Sequence, residues 1–303
     1  MIQVEHLTKK FAETVAVRDI SFAVEKGRIW GFLGPNGAGK TTTMRVLTGY
    51  LPPNEGRALI DGIDVASDPR AVQRRVGYLP EVVPVYGELT VKEYLRFVAE
   101  LNGLERRKIA AAVERAVERT NLQPVYGRLA RNISRGFRQR LGIAQAVIHE
   151  PDVLILDEPT IGLDPAQIIE IREMIRAFRG SATVILSSHI LAEITQVCDG
   201  AVIIKEGRLM ATLTREEWGK SLEIVAAAPP AGELAAALAQ AFPAVAEARC
   251  DGAVLKLEFR QPPSDLNPIL SWLLGRDVRI REIKAGLEAL YMKAVLAEEG
   301  RAS

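Results

Sequence analysis

Gly34-Pro35-Asn36-Gly37-Ala38-Gly39-Lys40-Thr41 fits the pattern glycine, four residues, glycine, lysine, then serine or threonine without a mismatch. Glycines let the backbone curl so that successive N–H groups point inward at phosphate oxygens. Lys40 adds a positive charge for the β- and γ-phosphates of a nucleotide, and Thr41 offers its hydroxyl to Mg²⁺. Upstream, Arg28 to Leu33 reads as a β-strand. Downstream, Thr41 to Leu47 reads as a helix whose partial positive end faces the anion. Strand, loop and helix in that order make the motif a believable phosphate site rather than a chance glycine turn.

A second motif completes the first. Val153-Leu154-Ile155-Leu156 is an unbroken apolar run ending in Asp157-Glu158. Four apolar residues bury the strand, and the two carboxylates emerge at its carboxyl end, where open α/β sheets bind ligands. Asp157 suits a Mg²⁺ shell, because Mg²⁺ keeps several waters and takes few protein carboxylates. Glu158 is then placed to polarise a water for attack on the γ-phosphate. Thr183 to Leu186 is another continuous apolar run. Such strands fit a parallel sheet buried on both faces, so the core is α/β.

The flanking chain is organised around these motifs. Short β-rich stretches are expected at Ile2 to Leu7, Val15 to Val17 and Ser21 to Val24. From about Pro84 to Ala146 the texture turns helical. Thr90 and Glu93 have capping-box spacing, Asn102-Gly103 ends that helix, and Glu105 to Thr120 forms a second. Past about Thr214 the pattern reads strand (Leu222 to Ala226), helix (Glu233 to Ala241), strand (Val245 to Arg249) and strand (Ala253 to Phe259). A helix (Leu266 to Leu274) and a strand (Val278 to Ile283) follow, which is the split βαβ order of a ferredoxin-like module. Ala226 to Gly232 is expected to be a flexible join.

Bulk properties exclude several classes. The 303 residues carry a net charge of +1, so no basic surplus suggests an extended nucleic-acid binder. Cys198 and Cys250 stand far apart without CxxC pairing, which argues against a zinc site and a disulfide framework. The N-terminus alternates like a strand and does not resemble a signal peptide. No run approaches the ~18 apolar residues of a membrane-spanning helix. Any membrane role is therefore expected to come through a partner.

Over about residues 1 to 215 the chain resembles the nucleotide-binding subunit of ABC transporters. Besides the two motifs above, Ile133-Ser134-Arg135-Gly136-Phe137 occupies the place of the family signature. Gly162-Leu163-Asp164 looks like the D-loop, Ser188-His189 like the switch histidine, and Tyr78-Leu79-Pro80-Glu81 lies where the Q-loop lies. The resemblance implies a P-loop NTPase ABC cassette spanning 1–215, with a RecA-like core (1–83 and 147–215) and a helical subdomain (84–146). An α+β ferredoxin-like accessory domain covers 216–303. It implies ATP and Mg²⁺ as cofactors, with ATP held by Phe11 stacking on adenine and by Gly34, Pro35, Asn36, Gly37, Ala38, Gly39, Lys40, Thr41 and Thr42. Ser134, Gly136 and Asp164 serve an ATP site across a dimer. Glu158 and His189 are the implied catalytic residues, and Thr41, Asp157 and Glu81 the implied metal set.

Three positions depart from the family. Arg135 and Phe137 replace a glycine and a glutamine, and Arg135 either reaches the opposite γ-phosphate or faces water. Glu81 replaces a glutamine; a second carboxylate favours the metal but repels the γ-phosphate. The GYLPE stretch, the ISRGFRQR signature and the tail Gly286 to Met292 resemble the type-2 export ATPases linked to gliding motility and multidrug export. The implied protein is an ATP-hydrolysing subunit that dimerises with a second copy and drives an integral-membrane permease. It is expected to be cytoplasmic, peripheral on the inner face of the cell membrane, with no nucleic-acid partner. The rival is a soluble ABC ATPase acting on ribosomes or DNA without a permease. A third reading makes the C-terminal module a small-ligand regulator of the ATPase.

Overall fold

A computed structural model describes residues 1–230, 233–263, 265–288 and 290–291 of the chain. They fall into two compact units, Met1–Thr212 and Leu213–Ser303. The first unit begins with β1 (Ile2–Phe11), β2 (Thr14–Val24), β3 (Ile29–Leu33), α1 (Lys40–Leu47), β4 (Glu55–Ile60), β5 (Ile63–Asp64), α2 (Pro69–Arg75) and β6 (Val76–Leu79). The helical segment holds α3 (Val91–Leu101), α4 (Arg106–Arg119) and α5 (Arg135–Val147). The chain returns through β7 (Val153–Leu156), α6 (Pro165–Arg176), β8 (Thr183–Ser188), α7 (Leu191–Val197), β9 (Gly200–Lys205) and β10 (Arg208–Thr214).

Two sheets build this unit. β2-β1-β4-β5 form an antiparallel sheet, and the second sheet runs β10-β9-β3-β8-β7-β6. In the second, β9, β3, β8, β7 and β6 pair in parallel. Every residue of β3, β7 and β8 is buried, as a parallel sheet covered on both faces requires. Ile2, Leu7, Ile20 and Phe22 of the antiparallel sheet share one apolar core with Phe32, Met44, Leu47, Ile155 and Ile185.

The early strands are longer than their local pattern suggests. Val15–Val17 and Ser21–Val24 belong to one strand, β2, which runs through Asp19 in the left-handed region. Register shifts between Val4 and Lys9 absorb the irregularity, and the Asp19 N–H donates to Thr8 Oγ1 at 3.0 Å. A bulge thus keeps the ladder continuous where residue pattern alone shows a break.

The start of α3 is built as its sequence spacing predicts. Glu93 N–H donates to Thr90 Oγ1 at 3.2 Å, and Thr90 N–H donates to Glu93 Oε2 at 2.9 Å. The Thr90 backbone N–H, then its hydroxyl, holds the Glu93 carboxyl below the usual range. Tyr94 is buried, its hydroxyl donating to the Pro84 carbonyl at 2.9 Å and contacting Gln145 on α5. This ties α3 to α5. Arg115 of α4 meets Glu150 at 2.9 Å.

The second unit contains α8 (Arg215–Trp218), β11 (Ser221–Ala226), α9 (Leu234–Ala241), β12 (Val245–Asp251), β13 (Val254–Phe259), α10 (Asn267–Leu274) and β14 (Ile280–Ala285). Its sheet order is β12-β13-β11-β14, antiparallel throughout, the order of a ferredoxin-like split βαβ. Leu222, Ile224, Leu255 and Leu257 meet Leu238 and Leu273 in a core separate from that of the first unit. Of the join expected at Ala226 to Gly232, Ala231 and Gly232 lie outside the described residues, as do Ala289 and Met292 of the tail motif. Cys198 is buried, Cys250 half-buried, and no disulfide links them. Among the described residues no helix is long and apolar enough to cross a membrane.

Replacing Thr90 by Ala removes the α3 cap and is expected to lower stability by about 1 kcal/mol, with Ser restoring most of it. The midpoint of urea unfolding measures the change.

Candidate functional site

Sheet order decides what meets at the site. β8 lies between β3 and β7, so the segments leaving the carboxyl ends of all three strands are neighbours. The glycine loop follows β3, Asp157-Glu158 follows β7, and His189 follows β8. A cleft of about 310 Å³ opens there, lined by Asn36, Gly37, Gly39, Lys40, Thr41, Thr42, Glu81, Glu158 and His189, with Ala16 and Ile161.

The loop's glycines are required by its geometry. Gly37 and Gly39 lie at φ +78° and +101°, and a Cβ on Gly39 would sit 2.5 Å from the Ala16 carbonyl oxygen. The Gly34 N–H donates to the Ser188 carbonyl at 3.3 Å, pinning the loop to the end of β8. Lys40 opens α1 and is almost fully buried. Its ammonium donates to the carbonyls of Gly34 and Pro35 at 2.9 and 3.2 Å and pairs with Glu158 Oε1 at 3.2 Å. Of the remaining loop residues, Ala38 is buried in the core and Pro35 is exposed.

Glu158 occupies the left-handed region at φ +47°, an unfavourable backbone state for a residue with a Cβ. Its N–H donates to Ser187 Oγ at 2.8 Å, and the Ser187 hydroxyl donates to Asp157 Oδ1 at 2.6 Å. Its other carboxylate oxygen, Oε2, lies 3.0 Å from His189 Nδ1. One carboxylate therefore touches both Lys40 and His189. Asp157 is wholly buried and is not among the residues lining the cleft. Its Oδ2 is buried without a hydrogen-bond partner. An orphaned buried carboxylate oxygen is a hard donor of the kind Mg²⁺ takes, and the Thr41 hydroxyl and the Glu81 carboxylate, oxygen donors too, line the cleft. Burial, with the negative Asp157 adding to it, pushes the neighbouring Tyr78 phenol up to about 12. That phenol stays neutral at ordinary pH.

Phe11, Ser134, Gly136 and Asp164 also stand outside this cleft. Phe11 ends β1 with its ring exposed beneath the Lys9 ammonium, 5.3 Å from the ring centre. Ser134 caps α5, accepting from the Phe137 N–H at 3.3 Å, and Gly136 is buried one residue into that helix. Asp164 caps α6, accepting from the Gln167 N–H at 2.9 Å. Arg135 gains a role within its own chain: its guanidinium lies across Gly162, where any Cβ would collide with it. Phe137 is half-buried with the Arg140 guanidinium 5.1 Å from its ring centre.

Sequence reasoning missed Ser187 and Glu193. Ser187 is wholly buried and joins Asp157 to the Glu158 backbone. Glu193, on α7, is buried and accepts from the hydroxyls of Thr160 and Ser188. The partners of Ser187, and Thr160 as a partner of Glu193, follow a different strand, β7, so no local spacing announces them.

Comparison with known proteins agrees with this fold. The family model described as ABC transporter matches residues 17–161. The ABC transporter ATP-binding protein NatA of Bacillus subtilis (strain 168) is 39% identical over 197 residues, 64% of this chain and 80% of that protein. The bacitracin transport ATP-binding protein BcrA of Bacillus licheniformis is 40% identical over 212 residues, 69% of this chain and 68% of that one. A solved structure, the ATP binding subunit of an ABC transporter, superposes with a TM-score of 0.65 at 32% identity, covering 71% of this chain and 90% of that chain. The chain belongs to the ABC transporter family, as an ATP-binding subunit. It is an ATPase built on the cassette fold, and its nucleotide is ATP.

Ser187→Ala strips a hydrogen bond from each of two buried groups, the Asp157 carboxylate and the Glu158 N–H. A loss of about 1–3 kcal/mol in stability is expected for such a change. Turnover of ATP, measured as phosphate release by the folded variant, is expected to fall with it.

Proposed function

We propose that two copies of this chain close around Mg-ATP and that their ATP cycle drives an integral-membrane permease, in the direction of export. The observation carrying this reading is the division of the motifs. Lys40, Glu158 and His189 share one cleft, whereas Ser134, Gly136 and Asp164 stand outside it. Each copy thus holds half of a site. The start of α5, with Ser134 exposed, is an anion-binding end for the γ-phosphate of the opposite copy.

Within one copy the chemistry follows from the residues. Backbone N–H groups of the glycine loop receive the phosphates, and Lys40 leaves Glu158 to pair with their charge. Released from the lysine, Glu158 takes the proton of the attacking water. His189, hydrogen-bonded to Glu158, keeps that carboxylate aimed at the γ-phosphate. Thr41, Asp157 and Glu81 are the residues that would hold Mg²⁺, which when bound neutralises charge on the phosphate oxygens. Phe11, exposed beside Lys9, is the surface for adenine stacking.

The permease reading rests on a second cleft in the same unit, about 770 Å³, lined by Tyr50, Tyr78, Val82, Tyr86, Phe97 and Leu101 among others. Tyr50, Val82, Tyr86 and Leu101 are 72%, 80%, 60% and 69% exposed. So much apolar surface beside the Glu81 segment marks a protein interface. Tyr86 packs edge-on against Phe97 at 5.5 Å, whereas Tyr94 is core. The export direction rests on the resemblance of the GYLPE stretch and the ISRGFRQR signature to those of export ATPases. A permease partner places the chain at the inner face of the cell membrane.

Glu158→Gln is expected to bind ATP, stop turning over and accumulate as a dimer in size-exclusion chromatography with ATP. Normal turnover by this variant removes Glu158 as general base. The same variant, used as bait in detergent-solubilised membranes with ATP, is expected to retain a multi-helix membrane protein. Recovery of ribosomal or DNA-repair components alone would overturn the transport reading and leave the ATPase chemistry standing.

A further inference from the structure

We infer that Glu193 is a positioning residue for ATP hydrolysis, holding the Glu158 segment and the His189 segment in register through one buried carboxylate. The inference rests on the roles given above to Glu158 and His189.

Glu193 sits near the start of α7, buried among residues from three chain segments. Its Oε1 accepts from Thr160 Oγ1 at 2.6 Å, and Thr160 stands two residues beyond Glu158. Its Oε2 accepts from Ser188 Oγ at 2.7 Å, and Ser188 immediately precedes His189. Arg172 of α6 places a guanidinium nitrogen 3.9 Å from Oε1. Both carboxylate oxygens thus act as acceptors for hydroxyls, at lengths typical of hydroxyl donors to an ionised carboxylate.

The bonds around this carboxylate extend to the rest of the site. Ser188 Oγ also accepts the Ile190 N–H at 2.9 Å, and its hydroxyl has Glu193 at 2.7 Å as a far nearer acceptor than the Ile190 carbonyl at 3.5 Å. The Ser188 carbonyl accepts the Gly34 N–H of the phosphate loop. The Thr160 carbonyl accepts the Leu163 N–H, which belongs to the Gly162-Leu163-Asp164 turn. Glu193 therefore joins the catalytic turn, the switch histidine and the turn that leads to Asp164, without facing the cleft itself. Glu158 and His189 come from different strands and meet across 3.0 Å. Backbone pairing sets the separation of the strand ends, but the turns beyond them need a tie of their own. Glu193 supplies it.

The test uses the full chain and steady-state ATP hydrolysis. Glu193→Ala is expected to lower kcat roughly tenfold to a hundredfold, the scale of a small misplacement of catalytic groups, with KM for ATP within about twofold. Glu193→Gln keeps the reach and one acceptor, and is expected to recover most of that loss. Combined with His189→Ala, Glu193→Ala is expected to cost nothing further, because it acts through the segment that carries the histidine. Normal kcat in the folded Ala variant, a raised KM at unchanged kcat, or losses that multiply with His189→Ala would each overturn the inference. If Glu193→Ala does not fold, Thr160→Val and Ser188→Ala decide: both should lower kcat at unchanged KM, and normal rates in both refute it. Glu158→Gln is run alongside. A silent Glu158→Gln with a normal Glu193→Ala defeats only this inference, whereas an active Glu158→Gln defeats the general-base reading beneath it.

Discussion

A lysine and a glutamate, each nearly excluded from solvent, face one another at 3.2 Å across the carboxyl edge of a parallel sheet. Taking two such charges out of water costs about as much as their attraction returns, so the pair is a poor source of stability. On the proposed function its sense is catalytic: Lys40, held by two loop carbonyls as well as by Glu158, would exchange them for phosphate oxygens. Glu158 in turn is held in a strained backbone state by Ser187 and by His189. The rest of the cassette serves to keep these groups opposed. β8 between β3 and β7 sets their spacing, and complete burial of those strands makes the spacing rigid.

The departures from the family pattern take on physical meaning against this frame. Arg135, where a glycine is usual, does not simply face water: it lies across Gly162 and joins the start of α5 to the turn before α6. Gly136 meets Gln167 of α6 closely enough that a Cβ there would press on its side-chain amide. The two segments read as contacts for an opposite copy are therefore packed against each other within one chain. They present one surface. Glu81, in place of a glutamine, faces the same cleft as Glu158 and adds a second carboxylate to it.

Much of this was legible in local sequence. The glycine loop, the apolar run ending in Asp157-Glu158 and the Thr90–Glu93 cap each depend on residues a few positions apart, and each forms as its spacing implies. The ferredoxin-like order of the second unit was readable because its strands and helices are short and separated by clear turns. Local pattern failed where a strand runs through a bulge, as β2 does at Asp19, because cross-strand hydrogen bonds rather than residue preference keep it going.

The sequence by itself determined which candidate groups the chain carries: a glycine loop ending in lysine, an aspartate and a glutamate after an apolar strand, and a histidine, each declared by residue type and short-range order. Only the tertiary structure decided which of them meet. Ser187 and Glu193 became part of the site because β7 and β8 lie side by side, bringing together residues about 30 positions apart. Ser134, Gly136 and Asp164 were kept out of it by the placement of α5 and α6. The physical reason is range. Glycine freedom, capping and apolar runs act over a few residues, whereas the partner of a buried hydroxyl or carboxylate is chosen by how sheets and helices pack.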